Sequence, residues 1–197
     1  MMKLFSGLFR AKKRAGTENS FVQMPIFHQT LQFPFPLDWP LEPLHRQLEG
    51  GSFVVEFTAA GQNRENWQDK LIIQSFNSAN DDAGMSAGLL LKMMKEELEG
   101  QYQNAIHYEE LFSETSFKRS KIAVLMGLNP LHGQAALAQF GLYLIMEGEH
   151  DMYILQRAWK AEPRKDGLPM PRHELDAWLE DFTKTALLDA APLPKES

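Results

Sequence analysis

The chain has 197 residues, 44% hydrophobic and 23% charged, with no cysteine and a formal net charge of −6. That length suits one globular domain with a sizeable core. No apolar run approaches the roughly 18 residues of a bilayer span, so stable membrane insertion is not expected. Without cysteine there are no disulfides, no thiolate catalysis and no cysteine-ligated zinc.

The charge is uneven. Lys3, Arg10, Lys12, Lys13 and Arg14 fall in the first fourteen residues with no acid among them, and taking their +5 from the net −6 leaves −11 on the rest. A body that acidic is a poor surface for phosphates, and no nucleic-acid partner is expected. Residues 1–23 read as a flexible basic arm. Phe5, Leu8 and Phe9 would share one side of a short helix, which allows weak membrane-surface contact through residues 3–14. The basic cluster follows the apolar part, the reverse of a secretory signal.

Residues 24–190 read as one α+β domain and 191–197 as a tail. In the proline- and aromatic-rich lead-in, 24–50, prolines 25, 34, 36 and 40 forbid a long helix but allow an extended strip. Phe27, Phe33, Phe35 and Trp39 on it either form an interface or complete the core. A short helix is expected over 41–49, ended by Gly50 and Gly51. SFVVEFTAAG and WQDKLIIQSF read as a hairpin, with Phe53, Val55 and Phe57 on one face. Residues 83–101 form an amphipathic helix capped by Asp82. Strands follow at 105–112 and 121–128, Asn129-Pro130 breaks the second, and a long hairpin joins 136–146 to 152–159. A helix over 172–188 closes the domain, with Leu175, Trp178, Leu179 and Phe182 inward. Strands that arrive consecutively predict a mainly antiparallel twisted sheet covered by two principal helices. Strand order is not legible, and an exposed edge could pair in a homodimer.

Chemical motifs are sparse. No glycine-rich phosphate loop and no HExxH motif is present. Ser86 in GMSAG departs from the nucleophile elbow, and Glu96, Glu97 and Glu99 read as an exposed helix face. No cofactor is expected. His150 in the turn EGEHD, beside Glu147, Glu149 and Asp151, is the candidate metal ligand, against a plain solvated turn. His132, and His107 two residues before Glu109, are the catalytic candidates. On the last long strand Tyr153, Leu155, Arg157 and Trp159 share a face, so an arginine stands among apolar neighbours. It either reaches an acidic ligand or a partner carboxylate, or it pairs with an internal acid or snorkels at the sheet rim. Arg157, Trp159, Trp39 and Phe35 are the candidate interaction residues.

The hairpin EFTAAGQNRENWQDKLIIQSF, the helix after it, and the closing hairpin YLIMEGEHDMYILQRAWK with its C-terminal helix resemble the layout of the PsbP-like and Mog-type superfamily over about residues 51–188. That resemblance implies an antiparallel sheet with helices and a mostly accessory or binding role; it transfers no functional residue. The leading expectation is therefore a non-enzymatic, bacterial-type, cytoplasmic accessory protein that binds another protein. The alternatives are a small-molecule or lipid-binding domain with a pocket between the sheet and the 83–101 helix, lined by Met85, Met93 and Met94, and an enzyme using a histidine–carboxylate pair.

Overall fold

A computed structural model describes residues 19–77, 85–101, 106–116, 119–128, 137–162 and 172–189. In chain order its elements are β1 (Asn19–Ile26), β2 (Gln29–Pro36), β3 (His45–Glu49), β4 (Ser52–Thr58), β5 (Asp69–Asn77), α1 (Ala87–Gln101), β6 (Ile106–Ser116), β7 (Arg119–Leu128), β8 (Ala138–Glu147), β9 (Asp151–Ala161), α2 (Arg172–Thr183) and β10 (Ala186–Asp189). The architecture is α+β, with one large sheet ordered β3-β4-β5-β9-β8-β7-β6 and a small one ordered β1-β2-β10. Every strand pair is antiparallel. The chain leaves β5, crosses through α1 to the far edge at β6, then meanders back until β9 closes against β5.

Period-two alternation places a core on each face of the large sheet. On one face Phe53, Val55, Phe57, Leu71, Ile73, Leu142, Leu144, Tyr153 and Leu155 pack against the small sheet and α2, which contribute Val22, Leu31, Phe33, Phe35, Leu175 and Phe182. On the other, Ala87 and Leu91 of α1 pack on Val124, Met126, Ile145, Met152 and Ile154. Each large side chain buried this way is worth about 1.5–3 kcal/mol.

The second sheet was not anticipated. Its β1–β2 hairpin is built from the proline-phenylalanine segment and turns through Phe27, whose φ is 51°. β10 pairs with β2 only over Gln29–Gln32. Pro34 and Pro36 lie past that overlap, where β2 has no second strand partner among the described residues and a missing N–H costs no second ladder bond.

Three expectations need correction. Residues 45–49 are the edge strand β3 rather than a helix, because Gly50 and Gly51, at φ 57° and 80°, form a hairpin turn to β4 instead of a helix C-cap. The closing helix stops at Thr183 rather than reaching 188. The Thr183 hydroxyl bonds back to Glu180 O at 2.6 Å, and the following residues leave the helix to pair with β2. The α1 start is held by Ser86, whose Oγ accepts the Leu89 N–H at 3.1 Å, and by Glu147, which accepts the Ala87 N–H; Asp82 lies outside the described residues.

Candidate functional site

The open edge of β2 forms one wall of a cleft of about 650 Å³. Pro34, Pro36, Asp38 and Trp39 line that wall, Asp69 and Leu71 of β5 and Arg157 of β9 form the floor, and α2 supplies His173, Glu174, Ala177, Trp178, Asp181 and Phe182. The α2 residues recur at helical spacing and make one stripe. Trp39 is set by a turn in which its N–H bonds Pro36 O at 3.2 Å.

Arg157 is the centre of the floor. It occupies the same face of β9 as the fully buried Tyr153 and Leu155, and it lines the cleft. Its guanidinium lies between two indoles, 4.2 Å from the Trp39 ring centroid and 4.3 Å from that of Trp178. One terminal nitrogen bonds Asp69. Asp69 opens β5 in register with Trp159, and so stands diagonally across from Arg157. The arginine side chain is 12% exposed and the aspartate 30%. Burial pushes the Asp69 carboxyl above its ordinary 3.8, with Arg157 pulling the other way. Burial likewise lowers the guanidinium, against the pull of Asp69. Arg157 Nε and Asp69 Oδ1 are both buried without a hydrogen bond among the described residues. A planar cation clamped by two rings and a carboxylate is a stiff floor rather than a mobile arm.

Around that floor the cleft is acidic. Among the described residues four carboxylates line it, from Asp38, Asp69, Glu174 and Asp181, against one guanidinium. Lys184 offsets Asp181 from behind at 3.1 Å. Asp38 and Glu174 are exposed and form no ion pair among the described residues.

The structure brings Arg157 and Trp39 together here. Trp159 and Phe35 sit just beneath. They are 5% and 2% exposed, so both rings are part of the core and support the cleft from below. Trp159 packs edge-on against Trp178 at 5.3 Å, and Phe35 against Trp39 at 6.4 Å. Sequence reasoning did not connect Asp69, Asp38, Glu174 or Trp178 to Arg157. The only signal was an acid at the start of the WQDKL strand and a tryptophan on the inner stripe of the last helix.

The histidines lie elsewhere. His107 is half-buried, with Nε2 3.8 Å from Glu109, but that carboxylate also takes Arg172 at 3.0 Å. His150 is exposed in the β8–β9 turn, its ring 5.4 Å from that of His28. No group of three potential metal ligands converges among the described residues. His132 lies outside the described residues. A histidine that the sequence did not single out, His28, bonds Asp151 through its Nδ1 at 3.1 Å and its backbone N–H at 3.1 Å. Asp151 also accepts the Tyr153 hydroxyl at 3.1 Å, so this cluster ties the β1–β2 turn to the β8–β9 turn. Under α1, Met85 and Met94 pack on the sheet layer, whereas Met93 is 48% exposed.

Comparison with protein-family models and with curated proteins gives no match for this chain.

Proposed function

We propose that the chain is a non-enzymatic protein-binding module whose cleft receives a lysine- or arginine-bearing segment of a partner. The observation that supports this is the make-up of the cleft: four carboxylates around a guanidinium that Asp69 already satisfies in part, beside two tryptophans and two prolines. A cationic side chain would meet Asp38 and Glu174 at the rim while its aliphatic stem lies on indole and proline. Among the described residues no hydroxyl, thiol or amine lines the cleft. The finer family reading, a PsbP-like accessory domain, belongs to the same proposal; its support is the large antiparallel sheet with helices packed on it.

The test is fluorescence anisotropy with a labelled octa-arginine peptide and an octa-glutamate control, at low ionic strength, against the full chain and its Asp38→Asn/Glu174→Gln variant. The reading expects the cationic peptide to bind and the variant to weaken that binding at least about fivefold, near 1 kcal/mol. Equal binding of the acidic peptide, or an unchanged affinity in the variant, would overturn it.

A further inference from the structure

The way the chain enters the fold decides what meets this cleft first. β1 begins at Asn19, and Asn19 is in register with Pro36, which lines the cleft. β1 and β2 are antiparallel, so the first residue of β1 lies at the end of the hairpin where β2 exits through Leu37 and Asp38 toward Trp39. That preceding stretch carries Arg10, Lys12, Lys13 and Arg14. Arg14 is five residues from Asn19 and Arg10 nine, which gives an extended reach of up to about 17 to 32 Å. A tether of that length would set an effective concentration on the order of millimolar, enough to form a contact of millimolar affinity or better.

The chemistry matches as well as the distance. Residues 3–14 carry five cationic side chains and no acid, and the cleft is predominantly anionic. The turn that follows β2 also exposes two leucines, Leu37 and Leu41, at 47% and 40%. These would meet the apolar side chains of the arm, Leu4, Phe5, Leu8 and Phe9.

We propose that the resident occupant of the cleft is the basic N-terminal arm of this same chain, residues 3–14, with its lysines and arginines toward Asp38, Glu174 and Asp181. A partner's cationic segment then binds by displacing it. This inference rests on the reading of the cleft as a cation-accepting groove and adds its competitor.

The test uses the full chain. It has no cysteine, so Ala11→Cys carries a single nitroxide label. Its four tryptophans give four indole N–H signals. Trp67 is the internal control, because it packs against Lys70 and Lys160 on the opposite face of the sheet. At low ionic strength the label should broaden the Trp39 and Trp178 signals to less than about half the relative intensity of Trp67, through their proximity to the docked arm. Asp38→Asn/Glu174→Gln should restore them. Equal broadening of Trp67, or none at Trp39 and Trp178, overturns the inference. A companion measurement separates the two proposals. With Lys12, Lys13 and Arg14 each changed to serine, octa-arginine should bind about fivefold tighter than to the parent. Parent-like binding would remove the arm from the cleft and leave the cation-accepting reading standing. No binding to either protein would remove both.

Discussion

Arg157→Met tests the physical reasoning behind the cleft most directly. Methionine keeps much of the side-chain volume and can still lie between the Trp39 and Trp178 rings, so the change isolates the charge. Breaking one side of a buried ion pair costs about 3–5 kcal/mol, because the remaining ion is left desolvated. Asp69 keeps 30% of its side chain exposed, so water recovers part of that. Losing two cation–π contacts adds about 0.5–1 kcal/mol each, and sulfur–ring packing returns a comparable amount. The expected net loss is about 2–3 kcal/mol near neutral pH. For a chain of this size that is a Tm lower by about 4–12 °C.

The loss should carry a pH signature. Burial already raises the Asp69 carboxyl above 3.8 in the parent, and Arg157 is what holds it down. Without Arg157 the folded-state value rises further. A group whose folded pKa is raised contributes its full stability below the unfolded value and loses it as pH climbs through the folded value. The deficit of Arg157→Met is therefore largest at neutral pH and shrinks as pH falls through the raised folded-state values and below 3.8, where Asp69 becomes protonated in both proteins. Urea unfolding followed by circular dichroism across that range measures both quantities. A variant within about 0.5 kcal/mol of the parent at neutral pH, the usual range of an inconsequential surface change, would refute the ion-pair argument. So would a deficit that does not narrow on acidification.

Three further outcomes follow from the same contacts. His28→Ala removes a side-chain donor from the buried Asp151 and should cost about 1–2 kcal/mol, with faster amide exchange concentrated in the β1–β2 turn; uniform exchange would show that this cluster does not tie the two turns together. Gly127→Ala places a Cβ 2.7 Å from Phe140 Cα and against Gln139 O on the neighbouring strand, so the β7–β8 pair must shift. A loss of at least about 1–3 kcal/mol in urea unfolding is expected, and parent-like stability would contradict the close approach. Burial pushes the Tyr143 hydroxyl up to about 12, and burial with the nearby Asp151 charge raises Tyr153 as well. Their protonated forms stabilise the fold fully below the ordinary 10.0, and that contribution is lost as pH rises through the raised values. Phenolate absorbance from these two rings should therefore appear together with alkaline unfolding, and ionisation in the intact fold would rule the burial argument out.

Much of the fold was legible locally. The alternation of Phe53, Val55 and Phe57, the long hairpin around EGEHD, and the stripe of Leu175, Trp178, Leu179 and Phe182 each follow from a period of two or 3.6 that burial of one face imposes on the residues themselves. For Arg157 the same alternation supplied its face and the option of an internal acid, but not which acid.

Segments without a decisive period were settled by their surroundings. Residues 45–49 become a strand because β4 offers an edge beside a two-glycine turn. The four residues of β10 are too few to announce themselves, and pair with β2 because Thr183 has ended the helix beside it. The assembly of the cleft belongs to this second kind. Asp69 and Arg157 lie 88 residues apart and meet only because β9 returns to pair with β5. Trp39 and Trp178 reach the same guanidinium from a turn and a helix on either side of that pair. Periodicity in the sequence fixes which way each side chain faces; strand order alone decides which distant side chains it faces, because that choice is made by burying both sheet faces at once.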